Sequence, residues 1–82
     1  MTPMAKDRLT KCFVEALGIS PEAVTAGLAY NSIKQWDSVG HMALVAALES
    51  EFNVMLDTDE IIALSSVAVA EQILRKHSVP LE

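Results

Sequence analysis

The side chains in this sequence that could act as nucleophiles are the single cysteine, Cys12, and the serine at position 38. Cys12 falls on the apolar stripe of a predicted helix and has no acid–base partner at helical spacing, so we interpret it as a buried core thiol. Ser38 does not fit the G-x-S-x-G elbow of hydrolases, because Trp36 stands where the first glycine is needed and no strand precedes it. We therefore predict no catalytic residue.

The candidate metal ligands are equally weak. His41 and His77 have no cysteine or aspartate at ligand spacing. The run Asp57-Thr58-Asp59-Glu60 begins like a calcium loop, but it lacks the third ligand and the turn glycine that should follow. We expect no metal site, and we interpret His41 as a half-buried packing residue.

Ser38 has a second possible use, because it lies where a long loop meets the start of a predicted helix. The free N–H groups and the positive dipole end of a helix N-terminus favour an anion, so a phosphodiester on the Ser38 oxygen would be stabilised there. The alternative is that Asp37 or Ser38 is only an N-cap, as Asp-Ser pairs at helix starts often are. The dipeptide alone leaves both interpretations open.

The elements that position these residues are helices, and no strand is predicted. A first helix is expected from about Met4 to Leu17, with Leu9, Cys12, Phe13, Ala16 and Leu17 at three- and four-residue spacing. The segment Ser20-Pro21-Glu22 predicts a short helical turn. Residues 27–36 show no period and predict a long loop anchored by Leu28, Ile33 and Trp36.

Three further helices follow the loop. The second helix is predicted from Asp37 or Ser38 to Phe52 or Asn53, a short third helix over about Asp57–Leu64, and a last helix from after Ser65-Ser66 to about His77. The inner stripe of the last helix is expected to comprise Val67, Ala70, Ile73 and Leu74. The pattern predicts an all-α fold in a single domain over residues 1–82.

The second helix is apolar on two sides. One face carries His41, Leu44, Val45, Leu48 and Phe52, and the other carries Val39, Met42, Ala43 and Ala46. One face must pack against the core. The other is either covered by the long loop or left partly exposed as a protein contact site.

Composition and charge exclude several function classes. With 82 residues, the chain has little volume for a substrate cleft, and 51% hydrophobic residues indicate a packed core. A net charge of −5 argues against nucleic acid as a partner. The longest uncharged apolar run is about ten residues, far short of the roughly 20 that span a bilayer. The segment Met1–Asp7 has no apolar run typical of a signal peptide, so we expect a cytoplasmic protein.

The charges are unevenly placed along the chain. No lysine or arginine occurs from Gln35 to Leu74, whereas the same segment holds seven acids: Asp37, Glu49, Glu51, Asp57, Asp59, Glu60 and Glu71. This surface is either a solvated acidic face or a docking surface for partners with basic patches.

The run from Asp37-Ser38-Val39 through Ala47-Leu48-Glu49-Ser50-Glu51-Phe52 resembles the signature of acyl carrier proteins, which carry D-S-(L/V) followed by an apolar helix ending in A-L-E-x-E-F. The similarity continues without gaps to Ser65-Ser66-Val67 and, with the first helix, covers nearly the whole chain. Trp36 before Asp37, with Gly40-His41 after it, is similar to discrete carriers of specialised pathways.

The resemblance implies a four-helix bundle with a short third helix and a long loop between helices 1 and 2. It implies that the chain is not an enzyme, and that 4′-phosphopantetheine from coenzyme A is esterified to Ser38, next to Asp37, to make a phosphoprotein. The arm's thiol would hold an acyl or aminoacyl group as a thioester. The matching partner-contact positions are Val39, Met42, Ala46, Glu49 and Leu56.

The implied partners are a phosphopantetheinyl transferase and acyl- or aminoacyl-loading ligases, synthases or transferases with basic docking patches. The pathway would be a fatty-acid-like or specialised one, in lipid or polyketide biosynthesis, and we expect a monomer. The alternative is an unmodified acidic helical interaction module that docks a basic partner through the same face.

Overall fold

The computed structural model describes residues 5–25 and 27–79. Within them the chain forms four α-helices, α1 (Ala5–Leu17), α2 (Ser38–Phe52), α3 (Thr58–Ala63) and α4 (Val67–Lys76), and one 3-10 turn at Pro21–Ala23. The described residues contain no strand, only an isolated antiparallel bridge between Ala29 and Ser66. The all-α prediction is confirmed. Met4, the predicted first residue of the first helix, lies outside the described residues.

Helix α1 buries the stripe that the sequence pattern predicted. Leu9, Cys12, Phe13 and Leu17 are buried, and Ala16 packs against them at partial exposure. The helix ends where Gly18 adopts a left-handed φ of 67° and donates its N–H to the Val14 carbonyl at 2.9 Å. The stripe therefore forms one wall of the core.

The start of α1 is fastened to the end of α2 by Arg8. Its Nε donates to Glu51 Oε2 at 2.7 Å, and its guanidinium also donates to the Glu51 carbonyl at 2.6 Å. The guanidinium lies 4.8 Å from the Phe52 ring centroid. The hydrogen bond from Arg8 lowers the pKa of the Glu51 carboxyl. These contacts place α1 and α2 side by side in opposite directions.

The connection from α1 to α2 is held by buried side chains and by backbone hydrogen bonds. Leu28 and Trp36 are buried, and Ile33 packs against the core. Tyr30 N–H donates to the Ser65 carbonyl at 2.9 Å, and Val67 N–H donates to the Leu28 carbonyl at 3.1 Å. The long loop is thereby attached to the segment between α3 and α4.

The six-residue helix α3 is too short to be stable alone and depends on its contacts. Asp57 and Glu60 form a reciprocal capping box at its start. Both Glu60 carboxylate oxygens also lie within 3.0 Å of His77 Nε2, and Lys76 Nζ is 3.6 Å away. The hydrogen bond from His77 and that from the Asp57 N–H lower the pKa of this buried carboxyl. Glu60 therefore joins α3 to the end of α4.

The lowered pKa of Glu60 predicts a pH-dependent contribution to stability. Because the folded-state pKa lies below the ordinary value of 4.5, the contribution is complete above pH 4.5 and is lost as the pH falls through the folded-state pKa. We expect Glu60→Gln to have a lower urea midpoint than the wild type at pH 5, and the difference to close below pH 4.5. A difference of the same size at pH 5 and pH 3 would contradict this role.

Candidate functional site at the start of the second helix

Asp37 is the N-cap of α2. Its backbone is extended, its Oδ1 accepts from Gly40 N–H at 2.9 Å, and its carbonyl accepts from His41 N–H at 2.8 Å. Of the two residues that the sequence left as N-cap candidates, the structure therefore selects Asp37. Ser38 becomes the first helical residue, with an exposed side chain that the cap does not use.

The surroundings of Ser38 suit an anionic group. Ser38 and Val39 contribute two of the N–H groups that have no acceptor inside a helix, at the positive end of the α2 dipole. The Asp37 carboxylate is directed to Gly40 N–H, which leaves those two donors to other partners. A phosphodiester on the Ser38 oxygen fits this position, because its charge would lie beside open donors and it would extend from an exposed side chain.

Gly40 fixes the distance between the loop and α2. It is buried, and a Cβ at this position would collide with the Gln35 carbonyl and lie 3.0 Å from Leu17 Cδ2. The loop backbone therefore passes directly against the first turn of α2. This close approach determines how Ser38 is presented to solvent.

A chain of hydrogen bonds connects the loop, α2 and α3 next to Ser38. Trp36 Nε1–H donates to His41 Nδ1 at 3.0 Å, and His41 Nε2 lies 2.8 Å from the Ile61 carbonyl. Since Nδ1 accepts, Nε2 carries the proton and donates to Ile61. His41 is half-buried as predicted, but its role as a link to α3 was missed, because no sequence spacing relates His41 to Ile61.

The second apolar face of α2 is exposed rather than covered by the loop. Val39 and Met42 are 78% and 55% exposed, and the smaller side chains of Ala43 and Ala46 are exposed too. We call these four residues the docking face. Three further exposed hydrophobic residues, Tyr30, Met55 and Ile62, were not predicted from the sequence. The adjacent pair Ile61-Ile62 was a usable signal, because both side chains of so short a helix cannot face the core.

Two of the predicted partner-contact residues, Glu49 and Leu56, are less exposed than the other three. Leu56 is only 5% exposed, so its side chain belongs to the core and cannot contact a partner in this conformation. The reason is local: α2 ends at Phe52, its C-cap Asn53 has a left-handed φ of 53°, and the following segment turns Leu56 inward. The half-buried Glu49 accepts the Leu56 N–H at Oε2 over 2.9 Å, so its carboxylate also stabilises this turn.

The seven acidic side chains between Gln35 and Leu74 differ in exposure and in their ion pairs. Glu51, Glu60 and Glu71 lie within 4 Å of Arg8, Lys76 and Arg75 respectively. The exposed acids of the segment are Asp37, Asp57 and Asp59. The negative charge available to a partner is therefore concentrated at the starts of α2 and α3.

The other candidate residues have structural roles. Burial raises the pKa of the Cys12 thiol to about 11, which fits a core residue and not a nucleophile. Across residues 5–25 and 27–79, no three His, Cys, Asp or Glu side chains converge as a metal site. None of the helices in these ranges is long and apolar enough to cross a bilayer.

A protein-family model described as a phosphopantetheine attachment site matches residues 7–74 of the chain. The match begins in the first half of α1 and ends in α4, so it includes the loop, the docking face and Ser38.

The close approach at Gly40 predicts that Gly40→Ala destabilises the protein, by about 1–3 kcal/mol in the free energy of unfolding, because the added methyl group meets backbone and cannot be accommodated by side-chain rotation. Gly27→Ala is the matched control, since its Cβ would meet only Thr25 Oγ1 at 3.9 Å. Urea unfolding measures both. Equal midpoints for the two variants would refute the inferred contact.

Proposed function

The chain belongs to the phosphopantetheine attachment family, and on that premise we propose that it is an acyl or aminoacyl carrier protein whose 4′-phosphopantetheine is attached to Ser38. Domains of this family are non-catalytic carriers to which the arm is bound covalently. The observation that carries the assignment to Ser38 is its position as an exposed first residue of α2, directly after the aspartate that caps the helix.

The attachment chemistry requires little from this chain. The Ser38 oxygen forms the new bond to phosphorus, its hydroxyl proton leaves, and adenosine 3′,5′-bisphosphate departs from coenzyme A, all on a phosphopantetheinyl transferase. The bound arm supplies a terminal thiol that holds the cargo as a thioester. Asp37 and Gly40 contribute by holding the first turn of α2 so that the hydroxyl faces solvent.

The docking face is the surface that we propose for the transferase and for the enzymes that load and use the cargo. Val39 and Met42 lie one and four positions beyond Ser38, and Ala46 continues the same face one turn later. Asp37, Asp57 and Asp59 provide negative charge for partners with basic patches. Glu49 is retained as a rim contact. Beyond the end of α2, the exposed Met55 and not the buried Leu56 is the proposed contact residue.

We propose a monomeric, cytoplasmic carrier that forms a single domain over residues 1–82 and serves a fatty-acid-like or specialised pathway of lipid or polyketide biosynthesis. The similarity of Trp36-Asp37-Ser38 to discrete carriers of specialised pathways supports the specialised pathway. The second candidate is an unmodified interaction module. The exposed apolar docking face supports it, because such a face suits protein binding whether or not Ser38 is modified.

The two candidates differ in the mass of the protein after incubation with coenzyme A and a phosphopantetheinyl transferase. We expect one added phosphopantetheine on the wild type and none on Ser38→Ala. Ser50→Ala, another exposed serine of α2, is the control and should be modified like the wild type. Modification that persists in Ser38→Ala, or is absent from the wild type, would favour the unmodified module or another site.

The docking face predicts the effect of adding charge. We expect Met42→Lys to lower the transferase kcat/KM at least about tenfold, equivalent to about 1.4 kcal/mol, because a cation replaces an exposed apolar contact and opposes a basic partner. Ala68→Lys adds the same charge at an exposed position of α4 and should change kcat/KM less than about twofold. Similar losses in both variants would indicate a net-charge effect and argue against this face.

A further inference from the structure

The first turn of α2 lies beside a pocket of about 130 Å³. Its lining comes from the loop, α2, α3 and the segment after α3: Tyr30, His41, Ile62, Leu64 and Ser65. His41 is three residues beyond Ser38 and thus on the same side of the helix. Two larger pockets, of 280 and 320 Å³, are lined by other segments and include no residue of α2.

Trp36 packs against two of the residues that line this pocket, Tyr30 and His41. Its indole ring is fully buried, packs edge-to-face on Phe13 and Tyr30 at centroid distances of 5.4 and 6.4 Å, and stacks on His41 at 6.3 Å. Because the ring packs against Tyr30 and His41, which line the pocket, a chain that extended past them into the core would have to displace it. Displacing the indole would leave its buried N–H without the His41 acceptor, which raises the free energy of the protein.

His41 joins α2 to α3 through a hydrogen bond to the Ile61 carbonyl. The carbonyl of Ile61 is one of the last four of α3, which have no donor inside the helix, and His41 Nε2–H supplies that donor. Because α3 has only six residues, its position depends on such contacts. Separating α3 from α2 would break the bond to Ile61.

We propose that Trp36 and His41 form a latch that limits the cargo this carrier can shelter to a short acyl group. The 130 Å³ pocket is similar to the roughly 150 Å³ cavity that holds one benzene, so the sheltered part has about six non-hydrogen atoms. A longer acyl chain has to remain in solvent or on a partner enzyme. The proposal rests on Ser38 as the attachment site, and Trp36 and His41 act in it as positioning residues.

The length limit can be tested by loading the arm with butanoyl or dodecanoyl groups from the corresponding coenzyme A thioesters and recording NMR spectra. Trp36 is the only tryptophan, so one indole N–H signal reports on the latch. Butanoyl should shift signals of Tyr30, Ile62 and Ser65. Dodecanoyl should leave the indole signal and the buried Leu48 and Leu64 methyl groups unchanged. Shifts of those methyl groups in the wild type, or no pocket shifts with butanoyl, would overturn the proposal.

The latch itself can be tested on the unmodified protein. His41→Leu removes both hydrogen bonds, and we expect amide exchange in α3 to become at least about tenfold faster. His41→Gln is the matched variant, because its carbonyl can accept from the indole and its amide can donate to Ile61, so exchange should remain near that of the wild type. Equal exchange in the two variants, or in His41→Leu and the wild type, would refute the latch.

Loading the His41 variants with a dodecanoyl group tests whether the latch limits the length of the sheltered acyl chain. Dodecanoyl should shift the Leu48 and Leu64 methyl groups in His41→Leu but not in His41→Gln. If His41→Leu does not fold, Trp36→Phe keeps an aromatic ring in the core but removes the indole donor and part of the ring volume, and the same shifts are expected there. Unchanged methyl groups in the folded variant would overturn the length limit. Failure to add the arm at all would contradict the proposed function instead, and the exchange result on unmodified protein would still stand.

Discussion

The hydrogen bond from the Trp36 indole to His41 is the interaction on which the rest of the structure depends. The loop before α2 is long and without regular structure, and burial of the indole converts it into a fixed wall of the core. The same histidine then reaches α3 through the Ile61 carbonyl. This pair, a buried tryptophan and a half-buried histidine, thus joins the loop, the first turn of α2 and the third helix. Both nitrogens of the His41 ring are hydrogen-bonded, so no buried side-chain polar atom among the described residues remains unmatched in this network.

The proposed attachment position, Ser38, and the buried Trp36 are close neighbours along the chain but differ in exposure. Residue 36 is fully buried and residue 38 is exposed, with the capping aspartate between them. This arrangement combines two requirements that usually conflict. A group to be modified by another enzyme must be accessible, yet its backbone must be held in one orientation. Gly40 also restrains the backbone here, because without a Cβ it lets the Gln35 carbonyl pack directly against the first turn of α2.

The sequence predicted most of the helical framework because local rules determine it. Capping residues marked the starts of α2, α3 and α4, and apolar periodicity identified the buried stripes of α1 and α4. Two groups of features could not be obtained that way. The link from His41 to Ile61 and the contact of Glu60 with His77 join residues 20 and 17 positions apart, and no period connects them. Leu56 was misplaced because the turn after Asn53, rather than any pattern, decides its direction.

The buried cysteine has a consequence for the proposed thioester carrier. A second reactive thiol on the same molecule would accept the acyl group from the arm and hold it where no enzyme could collect it. With a pKa of about 11, only about one Cys12 side chain in ten thousand is a thiolate at pH 7, and the sulfur is enclosed between α1 and α2 near the Ala47 carbonyl. The core therefore does more than stabilise the bundle. It also keeps the Cys12 thiol away from the proposed arm, so a thioester there would not be lost to this chain's own cysteine.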